Sequence, residues 1–344
     1  MNNARRSAAG AAMTVSVALV LTACGSTGGG DDTASPAADG ERRIVNVVKL
    51  AGGDWFNRMA VGNDEYAAEH EVTVSQTAGD DSSEEKQIAV LNDLIPQRPA
   101  ALTVVPNSPE SLEAVLGRAQ DAGIVVITHE APGIQNAEAN IEAFVNADYG
   151  AHQMDLLAEC MDGEGSYAHF VGSLTVASHN VWADGALAQA EAEYPGVTRV
   201  ADAISSEEDQ EVAYQRTKEL LATYPDIRGF IGAASTDVAG IGRAIEEAGR
   251  EADTCVVGTS TPAIVGNQLE SGSVDVITGW DPALAGQAML AAAEVVLDGG
   301  ELTEGTDLGV PGYESLRQDP EVPNSFFGDA WIDITNDNQA DYPF

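Results

Sequence analysis

From residue 43 to about residue 280 the chain alternates short β-branched runs with stretches of helical period, and it does so in two successive series. The first series offers strand candidates at Ile44–Leu50, Val72–Thr77, Ala101–Val105, Ile124–Thr128 and Phe144–Asn146, with helical stretches near 55–69, 83–95 and 109–122 between them. The second offers Ser166–Val171, Thr198–Ala203, Gly229–Gly232, Cys255–Gly258 and Val274–Thr278, with helices near 179–193, 207–223, 236–249 and 261–271. Strands separated by helices of that length must run parallel in a sheet covered on both faces. The chain is therefore α/β, with two doubly wound parallel-sheet lobes in tandem, and 344 residues suit two medium domains. Local punctuation agrees. Ser82 with Glu85 fits a capping box, and Ser108-Pro109, Thr261-Pro262 and Asp281-Pro282 each set a capping side chain before a proline at the first helical position.

The first forty residues do not belong to that pattern. Arg5 and Arg6 precede a short apolar run, Ala11 to Leu21, and small residues follow, which is the layout of a secretory leader. The ending Leu21-Thr22-Ala23-Cys24 resembles the lipobox of bacterial lipoproteins, which implies cleavage after residue 23 and a lipid on Cys24. Residues 25–40 are rich in Gly, Ser, Asp and Pro and read as a flexible tether. Nothing after residue 40 is apolar for long enough to cross a bilayer as a helix.

The formal charge of -39 excludes whole classes of partner. Nucleic-acid binding draws its affinity from basic groups meeting phosphates, and docking on anionic lipid needs a basic patch. The chain has three lysines, Lys49, Lys86 and Lys218, so the place of each carries information. Cys160 and Cys255 remain besides Cys24. An exported pair is compatible with a disulfide, but spacing alone does not say whether the two meet. Neither has metal-ligand spacing to a histidine, and nothing points to a metal or a cofactor.

In doubly wound sheets a ligand sits beyond the carboxyl ends of the strands, so the loops after strands are the candidates. The first reads Lys49-Leu50-Ala51-Gly52-Gly53-Asp54-Trp55-Phe56. Its glycines let the backbone bend near a ligand, an aromatic face suits the CH face of a sugar ring, and Lys49 supplies a charged donor. Trp55 and Phe56 serve equally well as core. The loop Thr128-His129-Glu130 presents a carboxylate to hydroxyls, unless Glu130 is simply a solvated acid. In the second series Ser178, His179 and Asn180 precede Trp182 between strand and helix, with helix capping as the plain alternative for His179. Three of the four tryptophans, Trp55, Trp182 and Trp280, fall just after strands or in the first turn of the next helix, a clustering that suggests a cleft. Asp281 is an excellent N-cap and also a candidate ligand carboxylate. Residues 233–236 form a small-residue loop where backbone approaches easily.

Catalytic patterns fail one after another. Gly240-Ile241-Gly242 lacks a third glycine at the right spacing and lies within a helix. There is no phosphate-cradling loop, no nucleophile elbow and no zinc spacing among the five histidines, and no acid/base pair stands out. The expectation is a binding protein rather than an enzyme.

Over roughly residues 43 to 344 the chain resembles the sugar-binding type I solute-binding proteins of ABC importers, above all the branch of autoinducer-2-binding and rhamnose-binding proteins. The resemblance is carried, in order, by Lys49-Leu50 with Trp55-Phe56, Thr128-His129-Glu130, Ser173 to Trp182, Val257-Gly258-Thr259-Ser260-Thr261-Pro262, Gly279-Trp280-Asp281 and the closing Asp341-Tyr342-Pro343-Phe344. It implies two lobes joined by a three-segment hinge, with crossovers near Asn146–Asp148, near Trp280–Asp281 and around residues 305–325. The N-terminal lobe would then take 41–147 plus 281–312, and the C-terminal lobe 148–280 plus 313–344, after a signal peptide at 1–23 and the lipidated tether at 24–40.

The resemblance also implies a site. Lys49 matches a ligand-contacting lysine of the autoinducer-2 binders, Glu130 stands at their first ligand aspartate, Ser178-His179 at their Asp-Gln pair, and Ala233 and Ser235 at two later contacts. One of the six positions is identical, which favours a pentose, deoxyhexose or related polyol over autoinducer-2. The partners implied are a small sugar-like ligand and an ABC permease, with the protein a monomer held by its lipid at the outer face of the cytoplasmic membrane. The alternative is a sensory protein that hands its closed form, carrying a sugar or autoinducer-2, to a membrane receptor.

Overall fold

Two sheets carry residues 42–344, the part of the chain that the computed structural model describes. The expected leader, Cys24 and the tether lie outside the described residues. The first lobe opens with β1 (Arg42–Val47), α1 (Asp54–Glu69), β2 (Val72–Thr77), α2 (Glu84–Leu94), β3 (Ala101–Val104), α3 (Pro109–Asp121), β4 (Val125–Thr128) and β5 (Ala139–Glu142). These strands pair in parallel in the order β2-β1-β3-β4-β5. The second lobe follows with α4 (Asn146–Cys160), β6 (Gly165–Val171), α5 (Ala177–Glu193), β7 (Val197–Arg199), β8 (Ile204–Ser205), α6 (Gln210–Thr223), β9 (Ile227–Gly232), α7 (Ser235–Ala248), β10 (Cys255–Thr259), α8 (Pro262–Ser271) and β11 (Val276–Gly279). Its order is β7-β6-β9-β10-β11, with β8 also on β6, so each lobe is a doubly wound sheet.

Alternation along the strands explains the layers. Val45, Val47, Leu102, Val104 and Val126 pack with Leu91, Leu112 and Leu116 of α2 and α3. Ile44, Ala101, Ile127 and Ile141 face the other way, towards Met59 of α1 and the helix α9 (Pro282–Leu297). In the second sheet Ala168, Phe170, Phe230 and Val256 face α6, α7 and α8, whereas Tyr167, Ile231 and Val257 face α4 and α5.

The end of the chain departs from expectation. The short strands β12 (Arg317–Gln318) and β13 (Ser325–Phe327) join the first sheet, β13 parallel to β5, and β14 (Ile332–Ile334) then adds antiparallel to β11 in the second. The last crossing is therefore between Phe327 and Ile332, not within 305–325, and residues 313–344 are split between the lobes instead of lying wholly in the second. Edge strands of two or three residues leave no periodicity to read. The fifth strand is likewise Ala139–Glu142 rather than Phe144–Asn146, because its polar Asn140 and Glu142 are buried through hydrogen bonds among Thr128, Asn140, Glu142 and Ser325. The cap of α2 is Ser83, which accepts from Lys86 N, rather than Ser82. Thr261 precedes Pro262 without a side-chain cap bond.

Aromatic rings gather where the chain passes between lobes. Phe144 stacks on Tyr149 at 4.2 Å and meets Trp280 and Trp331 edge-on at 5.3 and 5.4 Å, while Trp182 lies 4.9 Å from Tyr149 and 5.9 Å from Trp280. Gly150 permits this. A Cβ there would stand 2.1 Å from the Trp182 carbonyl oxygen, so only glycine lets α4 and α5 touch backbone to backbone. Beneath them Cys160, at the end of α4, is joined to Cys255, at the start of β10, with Cα atoms 6.0 Å apart. That answers the pairing the spacing left open. No described helix is long and apolar enough to cross a membrane.

Candidate functional site

The loops at the carboxyl ends of both sheets enclose a cavity of about 220 Å³. The first lobe contributes Lys49, Trp55, Phe56 and Glu130, and the second contributes His179, Glu208, Ala233, Ser235 and Thr236. Trp182 and Trp280 close it on the hinge side.

Lys49 follows β1 in a loop pinned from below. Its carbonyl accepts from Asn107 Nδ2 at 3.0 Å, and Ala51 N donates to Gly79 O at 3.0 Å. The ammonium points inward and donates to Glu130 Oε2 at 2.6 Å, with both side chains almost fully buried. Burial pushes the Lys49 ammonium down, but the charges of Glu130 and Glu208 outweigh it and hold its pKa above the usual value. Burial likewise works against an ionised Glu130, yet the Lys49 ammonium, the foremost of the opposing charges, helps carry it down to about 2. The pair is ionised and held.

Glu130 occupies a left-handed backbone conformation, φ 53°, which is costly for a side chain with a Cβ and is found where the surroundings hold a residue for a purpose. Its neighbour His129 donates from Nδ1 to Ile141 O at 2.6 Å, which fixes the loop to β5. Across the cleft, Ser178 Oγ donates to Glu130 Oε2 at 3.4 Å, and His179 Nε2 lies 3.8 Å from the same oxygen. Gly172 N donates to His179 Nδ1 at 3.1 Å, so the neutral ring carries its hydrogen on Nε2, facing Glu130. Burial, then the Lys49 charge, keep that ring neutral by lowering its pKa well below the ordinary value.

Two of the expected residues lie elsewhere. Asp281 is outside the cavity, with its carboxylate engaged by Arg58 at 2.8 and 2.6 Å and its Oδ1 accepting from Ala283 N at 2.9 Å as the cap of α9. The helix-cap explanation is the one the structure displays, reinforced by an arginine far away in sequence. Asn180 turns back on its own loop, donating to Val176 O at 2.7 Å and Ser173 O at 3.3 Å, so it too is absent from the cavity lining. Ser178 reaches the site through Glu130 rather than the open space.

Sequence reasoning passed over Glu208 and Gln210, and it named Thr236 only within the 233–236 loop and Thr259 only within the 257–262 stretch; all four line the cavity. Glu208 sits among Glu207, Asp209 and Glu211, where no residue-type signal separates one acid from its neighbours. Three buried groups on residues that line this space, Glu208 Oε1, Trp280 Nε1 and Thr236 Oγ1, have no hydrogen-bond partner within the protein. Together with the two N–H groups that Lys49 does not spend on Glu130, they offer donors and acceptors to a ligand between aromatic walls. Trp55 meets Trp280 edge-on at 4.9 Å and forms part of those walls.

Among the described residues, the cluster with metal-ligand-like spacing is Cys160, Cys255 and Asp275, and its two sulfurs are consumed in the disulfide.

Comparison with known proteins gives a consistent picture. The family model described as "Periplasmic binding protein domain" matches residues 44–301. LsrB from Clostridium saccharobutylicum, solved in complex with AI-2, superposes with a TM-score of 0.81 at 19% identity, over 88% of this chain and 100% of that one. An ABC transporter solute binding protein from Clostridium phytofermentas with bound L-rhamnose gives a TM-score of 0.81 at 16% identity, over 88% and 98%. A carbohydrate transporter solute binding protein from Agrobacterium radiobacter in complex with D-arabinose gives 0.77 at 18% identity, over 88% and 97%. Identities this low speak for the fold, which is the type I two-lobed arrangement described above. Since the family model spans most of both lobes, the chain belongs to the periplasmic binding protein domain family.

Proposed function

We propose that the protein is the solute-binding lipoprotein of an ABC import system, capturing a sugar or sugar-like polyol between its lobes and delivering it to a permease. The observation that carries this is the Lys49–Glu130 pair, buried at 2.6 Å in a cavity that aromatic rings and residues with unpartnered polar groups also line. A sugar needs both surfaces, an apolar wall for its CH face and charged acceptors for its hydroxyls. Nothing in the cavity resembles an activated nucleophile with its base, which fits capture rather than turnover. The D-arabinose and L-rhamnose complexes of structural neighbours support the ligand class.

Lys49, Trp55, Phe56, Glu130, His179, Ala233 and Ser235 would form the site, with Ser178 steadying Glu130. Ligand contacts to both lobes would favour the shut state over the open one. Export, cleavage before Cys24 and a lipid there would keep the protein at the outer face of the cytoplasmic membrane, beside its permease. Uptake of radiolabelled pentoses and deoxyhexoses by cells with and without the gene tests the transport role. Loss of uptake of one sugar is expected, and unaltered uptake of every sugar that the purified protein binds would contradict it.

A further inference from the structure

Glu208 differs from every acid around it. Glu207 is exposed, and Asp209 spends its carboxylate on capping α6 through Glu211 N and Val212 N. Glu208 instead turns its side chain inward, leaving 10% of it exposed. Its backbone is left-handed, φ 52°, and so is that of Glu207, φ 59°, in a loop tied down by Glu208 N donating to Gly172 O at 3.2 Å. The same loop touches the first lobe, where Ser82 Oγ donates to Glu207 O at 3.5 Å.

What the carboxylate finds there is incomplete. Lys49 Nζ is 3.9 Å away, beyond hydrogen-bond reach, and is already engaged by Glu130. Glu208 Oε1 has no partner in the protein, although an ionised carboxylate is strongly driven to acquire donors when buried. Trp280 and Thr236 line the same space, and Trp280 Nε1 and Thr236 Oγ1 are equally unpartnered. A ligand hydroxyl lodged against Glu208 donates to its carboxylate. A ligand carboxylate has no hydrogen to give, meets Glu208 as a like charge, and finds the lysine neutralised by Glu130.

We propose that Glu208 is the ligand contact from the second lobe that selects an uncharged polyhydroxyl ligand and excludes its acid analogues. The proposal rests on the sugar-binding function above and adds the determinant of its charge specificity. Burial raises the Glu208 carboxyl from its usual range with Lys49 opposing, as expected for an acid that lacks its full set of donors.

The test is calorimetric titration of the protein and its Glu208→Gln and Glu207→Gln variants with D-arabinose, L-rhamnose, D-arabinonate and L-rhamnonate. The unmodified protein is expected to bind one of the sugars about a hundredfold or more tighter than its acid, as a buried like-charge contact demands. In Glu208→Gln that ratio should narrow about tenfold or more, since the repulsion goes while a hydrogen-bonding amide stays. Glu207→Gln should leave it unchanged. If a sugar binds but its acid binds as tightly, or if Glu208→Gln keeps the full ratio, the proposal is overturned and the sugar-binding function stands. A lowered melting midpoint of ligand-free Glu208→Gln with an unchanged ratio would make Glu208 structural and overturn it too. If none of the four compounds binds, the sugar-binding function falls and this proposal with it.

Discussion

The ammonium of Lys49 and the carboxylate of Glu130 meet at 2.6 Å in the middle of the molecule, and each is held by a different loop of the same sheet. Two charges taken out of water cost several kcal/mol each, and only their mutual attraction and further hydrogen bonds offset that. The pair is thus poorly explained as a device for stability alone. It is well explained as half of a binding site whose other half is a polar ligand.

Removing the lysine exposes this tension. Lys49→Met leaves Glu130 and Glu208 buried without a cation, and the loss of one partner from a buried pair should cost about 3–5 kcal/mol. Urea unfolding measures it. Lys49→Met combined with Glu130→Gln should recover much of the loss while binding no sugar.

Asp281 should behave in the opposite way. It caps α9 and pairs with Arg58, whose guanidinium also lies 4.6 Å over the Phe344 ring. Asp281→Ala should lower stability by about 1–2 kcal/mol, the scale of a lost cap with some ion pairing. Its sugar affinity in calorimetry should match that of the unmodified protein.

The Cys160–Cys255 bond closes a loop of 95 residues across the second lobe. Reduction, or a Cys160→Ser/Cys255→Ser variant, should cost about 2–4 kcal/mol of stability. Calorimetric melting with and without reductant reads this directly.

Acid should weaken the second lobe through its buried imidazole. Burial and then the Arg199 charge lower His169 from 6.5 to about 3, so the folded state refuses a proton that the unfolded chain accepts. The unfolded state binds more protons in that window, and stability falls as pH drops from about 6.5 towards 3. His169→Leu should flatten that part of the curve in urea unfolding at a series of pH values, and an unchanged slope would contradict the assignment.

The two lobes were legible because parallel strands buried on both faces write themselves as apolar runs, as in Ile124 to Ile127 or Cys255 to Val257. Lys49 was legible for a related reason, since a lone lysine closing such a run needs a polar environment. Other features hide in pairings that sequence does not encode. β13 finds β5 across more than 180 residues with three residues of its own. Asp281 carries two meanings at once, cap and candidate ligand, and only the position of Arg58 separates them. Glu208 is invisible among neighbouring acids until the backbone turns it inward.

The central claim is that the cavity around Lys49 and Glu130 holds a sugar. The most direct measurement is the thermal unfolding midpoint of the purified protein against a panel of pentoses, hexoses, deoxysugars, polyols and autoinducer-2, repeated with Lys49→Ala. At about a hundred times its dissociation constant a true ligand adds roughly 2.7 kcal/mol of stability. We expect one pentose, deoxyhexose or related polyol to raise the midpoint of the unmodified protein and to leave that of Lys49→Ala unmoved. A flat response across the panel, or an equal rise in Lys49→Ala, would contradict the claim.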